Sequence, residues 1–505
     1  MNAPASSENF ARPTLVEQAF LPVDNSILSY FRIVYGLAIA WDYSLYFGKS
    51  SWSGRDLIST EYLAPLIHFK YSGWEWIDVL PGFGMYYLFV GQILLALMLA
   101  AGAFYRFAAP CHFLGHAYIF LCERTLFQNH YYLCVLISFW MIFLPAHRTW
   151  SLDALLFPRI RSTVAPAWTV WILRFHIGLP YAFGGVMKLD IDWLLGEPMR
   201  GMVEDVVAKG GLLGKIAALF GVNATALFLS WSGMLLDFLV VPGLMIARPR
   251  WIRWLTLSAM VSFHLLNSQL FHIGIFPWLM LLSTPVFFDP SGPRRVWNWI
   301  FPTNASRSSK TEPSEPSSII PSRSHQVTVC SLLGCYAAFQ ILFPFRMWLY
   351  PGRVNWTEEG HQFAWQMMKV QKAVGAQFFV ASKPGAPLVP INMNAYRMTP
   401  HQLNAMGANF DMTLQLAHTL ADLGRKQGMP DPVIKGISIV SLNRRKPQLL
   451  YDPNLNLAKI PRIWGHQSAI KPLEEPYPTE PFRLPPQEWP KLFPIKLENP
   501  PEPSP

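Results

Sequence analysis

The sequence predicts a mainly α-helical polytopic membrane protein, of about nine transmembrane helices, with a smaller C-terminal α+β extracytoplasmic domain. Three observations predict it. Hydrophobic residues make up 51 % of the 505-residue chain and charged residues only 14 %, against about 25 % charged in a soluble domain. Apolar runs of membrane-spanning length recur through the first two thirds of the chain. After about Arg346 the pattern changes to short apolar segments and one amphipathic helix.

A bilayer core of about 30 Å takes about 20 apolar residues in a helix. Runs of that kind lie at 26–47, 84–105, 107–123, 130–146, 167–187, 222–247, 253–270, 272–289 and 327–346. Residues 1–25 lack the basic-then-apolar layout of a cleaved signal, so they read as a cytoplasmic segment and the first span is expected to direct insertion. Alternate loops carry Arg106, then Arg148, Arg159 and Arg161, then Arg248, Arg250 and Arg253, then Arg294, Arg295 and Arg323. The positive-inside rule therefore puts the N-terminus in the cytoplasm and, with nine spans, the C-terminus outside. Within the membrane domain (26–346), the Ser/Pro-rich stretch 302–326 reads as a cytoplasmic linker. Residues 347–471 form the α+β domain, with strands at QFFVASK, GISIVSLN and QLLYDP and one amphipathic helix over 399–428. Residues 472–505 are too Pro-rich for packed structure and read as an extended tail.

The formal charge of +10 comes without a Lys/Arg run or a nucleic-acid fold signature, so no nucleic-acid partner is expected. Five cysteines, with no CxxC pair, indicate neither a zinc knuckle nor a disulfide framework.

Ionisable residues at membrane depth are costly, which makes each a functional candidate. The first span holds Arg32 and Asp42, for which an internal ion pair or headgroup anchoring is the bland explanation. The fourth opens with Gln128, Asn129 and His130. The fifth contains Arg174 and His176 and ends GGVMKLDIDW, with Lys188, Asp190 and Asp192 at its edge. The seventh carries His264, Asn267 and Gln269. His112 and His116 share one helix face, but no adjacent-histidine box accompanies them, so core hydrogen bonding is the better reading and no metal is expected. Lys188 reads either as a lysine snorkelling to the interface or as an amine that burial keeps uncharged and able to take a proton. Spacing does not decide between these.

Four blocks carry a family resemblance: FRIVYGLAIAWD (31–42); YIFLCERTLFQNHYYL with HRTWSLDALL (118–156); RFHIGLPYAFGGVMKLDIDWLLGEPM (174–199); and FHLLNSQLFHIGIFPWLMLLSTPVFFDP (263–290). NWTEEGHQFAWQMM (355–368) and VSLNRRKPQLLYDP (440–453) continue it. Together they resemble the vitamin K-dependent gamma-carboxylases and the related horizontally transferred transmembrane domain, in a bacterial-type form. The resemblance implies a gamma-glutamyl carboxylase with reduced vitamin K (phylloquinol or menaquinol), O2 and CO2 as reactants. Lys188 would be the base that deprotonates the hydroquinone, and His130 its helper, preceded by Asn129. O2 then turns the quinol into a far stronger base, which removes a glutamate γ-hydrogen. CO2 adds to give γ-carboxyglutamate, and vitamin K epoxide forms.

Asn129, His264, Asn267 and Gln269 are expected to contact the quinol. Trp356 and Trp365 are expected along the route of the glutamyl peptide or protein. Arg397, Arg425, Lys426, Arg444 and Arg445 read as a basic face attracting acidic peptide, or as a solvated surface. Two positions depart from the family pattern: Gln128 stands for an asparagine, and Met187 for a lysine often found before the base. Phe104 occupies the membrane-side position of the disulfide that joins the two parts of the animal enzymes, so that link is expected to be missing. The bacterial form implies an inner-membrane location with the C-terminal domain in the periplasm. Two other readings stay open: a quinol epoxidase acting on a different substrate, and a non-catalytic quinone- or lipid-binding scaffold in which Lys188 is an anchor.

Overall fold

The computed structural model describes residues 13–48, 54–246, 248–270, 273–302, 321–478, 480–493 and 495–498. A short antiparallel pair, β1 (Pro22–Asp24) with β2 (Val164–Pro166), brackets four long helices and some short turns; the long ones are α1 (Ser26–Ser44), α2 (Gly84–Ala101), α3 (Tyr105–Cys122) and α4 (Asn129–Met141). α5 (Ala167–Met187) follows β2 directly. Two helices without a counterpart in the expected layout come next, α6 (Met199–Lys209) and α7 (Gly211–Phe220). Then come α8 (Val222–Met245), α9 (Arg250–Leu270), α10 (Phe276–Ser283), α11 (Gly292–Ile300) and α12 (Arg323–Leu342). Residues 303–320 of the expected linker lie outside the described residues, and from Arg323 the chain is helical.

Every one of the nine apolar segments is helical over part of its length. By length and composition four are fit to cross a membrane: α2, α5, α8 and the stretch Arg323–Leu349. The molecule is thus mainly helical and membrane-embedded, with four such helices among the described residues rather than nine. α4 and α10 fall short at 13 and 8 residues. α1, α3 and α9 are long enough, but polar side chains dilute their apolar surface.

Those polar groups have structural uses. Arg32 and Asp42 do not pair. Fully buried, Arg32 donates from Nη1 to Leu99 O (2.9 Å), in the last turn of α2, and from Nη2 to Trp150 O (2.6 Å). It ties the last turn of α2, where the dipole favours a cation, to the loop at Trp150. His116 Nδ1 lies 2.6 Å from the Tyr43 hydroxyl, as core hydrogen bonding requires. Neither nitrogen of the neighbouring buried His112 has a partner among the described residues, so the core reading holds for only one of the two.

α5 runs through the bundle, buried along most of its length between α8 and α4. A Cβ on Gly184 would lie 2.7 Å from Asp237 Oδ2, and one on Gly185 2.9 Å from the Phe238 ring. Two glycines therefore let α8 approach α5 closely, as small residues do in membrane bundles.

The C-terminal region is a four-stranded antiparallel sheet in the order β4-β3-β5-β6: β3 (Lys372–Ala381), β4 (Val389–Pro390), β5 (Val433–Leu442) and β6 (Gln448–Leu449). β3 and β5 pair along their full length, from Lys372↔Leu442 to Ala381↔Val433. The single helix expected over 399–428 is two, α13 (Pro400–Ala408) and α14 (Phe410–Lys426). Asn409 breaks it: its backbone is extended and its side chain accepts from Met412 N (3.1 Å), a helix N-cap. Phe378, Phe410, Leu414, Ile434 and Val440 form the core between sheet and helices. The Pro-rich tail is mostly exposed where described, with one anchor against the sheet. Trp489 is buried, and a Cβ on Gly375 of β3 would lie 3.6 Å from its ring.

Polar contacts join sheet region and bundle. Arg124 pairs with Asp411, and His401 Nε2 lies 2.7 Å from Thr125 O. Gln402 Nε2 donates to Glu123 Oε2 at 2.8 Å. Of the expected basic face, Arg425 pairs with Asp422, Arg444 with Glu204 (2.7 Å) and Arg445 with Asp192. Arg444 and Arg445 are therefore joints within the molecule rather than attractors of peptide.

Candidate functional site

α5 ends at Met187, and Lys188 is its C-cap, so the lysine stem leaves the helix at the bundle end facing the sheet region. α4 begins at Asn129, which places Asn129 and His130 in the first turn of the neighbouring helix. These two ends, with α8, α9 and the 361–368 loop, enclose a cavity of about 300 Å³. Its polar lining is Gln128, Asn129, His130, Lys188, Asp237 and His264, with Asn267, His361 and Gln366 completing it; Phe127, Phe263, Phe276, Pro180 and Ile273 supply apolar wall. The structure thus brings Lys188, His130, Asn129, His264 and Asn267 together.

Lys188 is buried, with 5 % exposure. It does not snorkel, and hydrocarbon is not what shelters it. Its Nζ donates to Asp237 Oδ2 in a buried ion pair and sits 5.0 Å above the centre of the Trp193 ring. Asp237 comes from the middle of α8, and Gly184 leaves the room its carboxylate occupies. Sequence reasoning missed Asp237: a single acid in SGMLLDFLVV lies far along the chain from the lysine it meets. The cue available was one carboxylate inside a span, which by itself calls for a partner.

Several buried polar atoms here have no partner among the described residues: Asn129 Oδ1, His130 Nε2, His264 Nδ1 and Gln366 Oε1. Their side chains are otherwise anchored. Asn129 Nδ2 donates to Gln366 O (2.9 Å). His264 Nε2 lies 2.6 Å from the Tyr181 hydroxyl. The ring of His130 packs 5.9 Å from that of Phe276. Orphaned polar atoms are expensive in a low-dielectric interior, and a flat ring carrying two hydroxyls is the kind of molecule that satisfies them between apolar walls. At about 300 Å³ the cavity is at the lower end of small-molecule sites.

Three expected site residues lie elsewhere. Gln269 is exposed on the outer side of α9, its amide 3.5 Å from Ser268 Oγ. Trp356 is buried in the sheet core and donates to Lys471 O at 2.8 Å. Trp365 is buried in the bundle core, its ring 5.1 Å from that of Tyr132. Neither tryptophan presents a face to a peptide, because each is used in packing.

The motif's two aspartates point the other way, into the sheet region. Asp192 accepts both guanidinium nitrogens of Arg445 (2.7 Å each) and Asn443 Nδ2 (2.9 Å). Burial works to raise its pKa, but these hydrogen bonds, with the charges of Arg445 and Arg353, hold it below the usual 3.8. Asp190 accepts from Asn355 Nδ2 at 3.2 Å, so the NWTEEG and LDIDW segments meet. Among the described residues no group of three or more His, Cys, Asp or Glu is arranged to hold a metal.

The family model of the HTTM domain matches residues 20–291, more than half of the chain. That of the vitamin K-dependent gamma-carboxylase lumenal domain matches residues 325–476. The chain belongs to the HTTM family, as a gamma-carboxylase-type protein. No solved structure matches it. In this gamma-carboxylase-type chain the HTTM match contains Lys188, His130, Asp237 and His264, and the lumenal match contains the 361–368 loop that closes their cavity. The protein is accordingly a carboxylase-like membrane enzyme.

Proposed function

We propose that this protein is a vitamin K-dependent gamma-glutamyl carboxylase, with the cavity between Lys188 and His130 as its hydroquinone site. One observation carries the reading: two motifs distant in sequence place Lys188 and His130 on one cavity, four of whose buried polar atoms have no partner among the described residues. When bound there, the quinol would supply, with O2, the strong base that a glutamyl γ-hydrogen requires, leaving vitamin K epoxide while the γ-carbon bonds CO2.

The chain's own residues then have definite tasks. Lys188 Nζ takes a proton from the quinol hydroxyl. Lys188 Nζ donates to Asp237 Oδ2 in the resting pair, so it becomes a base by first passing its own proton to that carboxylate. The pair stays net neutral through that transfer, which suits a buried site. His130 Nε2, Asn129 Oδ1 and His264 Nδ1 would hold the ring by hydrogen bonds, and the phenylalanines would exclude water that quenches the base. All nine apolar helices are read as membrane-embedded. The N-terminus is assigned to the cytoplasm and the sheet region to the periplasm of a bacterial inner membrane.

The test uses purified protein with reduced vitamin K, O2, labelled bicarbonate and a glutamyl peptide. Wild type should form epoxide and place label in the peptide. Lys188→Ala should lose both while eluting as folded protein; full activity in that variant overturns the assignment. Epoxide without label in wild type would instead favour an oxygenase acting on another substrate.

A further inference from the structure

A cavity of about 1360 Å³ lies apart from the proposed reaction site and shares no lining residue with the Lys188 cavity. Small-molecule sites usually measure about 300–1,000 Å³, so this one has room for something larger. Its walls come from the 148–163 connection ahead of α5, from the first turns of α9 and from α11. Lys188 caps the far end of α5, whose 21 residues span about 30 Å, the thickness of a bilayer core. The two cavities are thus at opposite ends of the bundle. This one is at the arginine-rich end, which the proposed topology puts in the cytoplasm.

Five arginines line the cavity, and Asp289 is the one acid among its lining residues. Arg294 is taken by Asp24 (2.7 Å) and Arg295 by Asp289 (2.9 Å). Arg148, Arg161 and Arg253 form no ion pair among the described residues. Arg161 donates from Nε to Ala154 O (2.6 Å), which fixes its stem. Arg253 Nε is buried with no hydrogen-bond partner among the described residues, and its guanidinium carbon sits 5.5 Å over the centre of the Phe288 ring. Beside these cations the wall is apolar, with Trp254, Leu257, Phe288, Trp297 and Ile300. α11 forms the rim, and none of its nine residues is buried. Arg294, Arg295 and Asn298 fall on one of its faces, and Val296, Trp297 and Ile300 on the other. A short helix of that make-up suits the boundary between headgroups and acyl chains.

We propose that this groove holds an anionic phospholipid, with its phosphate on Arg148, Arg161 and Arg253 and its acyl chains along Trp254, Leu257, Trp297 and Ile300. Charge selects the occupant. Three arginines without an acid partner attract a headgroup of net negative charge, whereas the ammonium of a zwitterionic lipid offsets that attraction. A free phosphate would satisfy the arginines and leave the apolar wall bare, so the lipid is the ligand that matches both parts of the cavity. Bound there, it bridges the connection ahead of α5 to α9 and α11, and so braces the end of α5 remote from Lys188. None of this depends on the quinol reading.

Lipid retention tests it. The full-length protein, delipidated in detergent, is incubated with phosphatidylglycerol or with phosphatidylcholine of the same chains, and bound lipid is counted by native mass spectrometry. Wild type should retain a single phosphatidylglycerol and prefer it to phosphatidylcholine by roughly tenfold or more. Arg148→Gln, Arg161→Gln and Arg253→Gln combined should erase that preference, and Arg148→Lys, Arg161→Lys and Arg253→Lys combined should keep most of it. Arg106→Gln, Arg159→Gln and Arg250→Gln combined remove the same charge from the same end but outside the groove, and should leave the preference intact. Should the groove triple variant fail to fold, Arg253→Gln alone should still lower the preference severalfold. A preference that survives the groove changes, or falls equally in both glutamine triples, overturns the site. Equal retention of the two lipids overturns it too, as does displacement of phosphatidylglycerol by millimolar inorganic phosphate, the mark of a phosphate pocket.

Discussion

Asp237 holds Lys188 in a buried ion pair, and on the proposed function the reactivity of the lysine depends on it. If the pair shares one proton, removing the carboxylate removes the acceptor that frees the amine. Asp237→Asn should lower epoxide formation by roughly a hundredfold, the scale of a lost proton-transfer partner, with the quinol KM little changed. Asp237→Glu should retain part of the rate. Near-normal turnover in Asp237→Asn would show that Lys188 needs no proton acceptor. The blocks that single out Lys188, His130 and Asn129 were legible in the sequence, and the three line one cavity. Asp237 was not legible, since it gains its meaning from a contact between distant segments. Trp356 and Trp365 were misjudged for the converse reason. Large aromatic residues in a motif suggest recognition, yet both are buried as packing.

At the scale of elements, apolar runs located all nine helical segments, because hydropathy is a property of one stretch at a time. The break at Asn409 and the extra helices α6 and α7 escaped, since capping and short glycine-flanked helices leave only faint marks in composition. The α5–α8 crossing offers the sharpest test at this level. Gly184→Ala places a methyl 2.7 Å from Asp237 Oδ2, too close to keep, so the carboxylate has to shift against Lys188. Activity should drop toward that of Asp237→Asn while detergent-solubilised protein keeps its size-exclusion profile. A Gly184→Ala enzyme with wild-type epoxidation would mean that the helices can shift without disturbing the pair.

Across the whole molecule, sheet region and bundle are held by ion pairs and hydrogen bonds, with Asp192 engaged by Arg445, Asn443 and Arg353. Its pKa is depressed in the fold, so its contribution to stability is complete above the usual carboxylate value of 3.8 and disappears as pH falls through the lower folded value. Asp192→Asn leaves Arg445 buried without its anion and should cost about 3–5 kcal/mol at neutral pH. Thermal unfolding in detergent should therefore show a wide gap between wild type and Asp192→Asn at pH 7 that narrows below pH 4. A gap independent of pH would deny the carboxylate that role.

The chamber around Lys188 is assembled across a seam: Lys188, His130 and His264 come from the bundle, His361 and Gln366 from the stretch that leads into the sheet. Neither half owns it. A bundle made without the sheet region would leave the lysine and its aspartate behind an open doorway, and a single proteolytic nick just before His361 would unroof the pair without touching either residue.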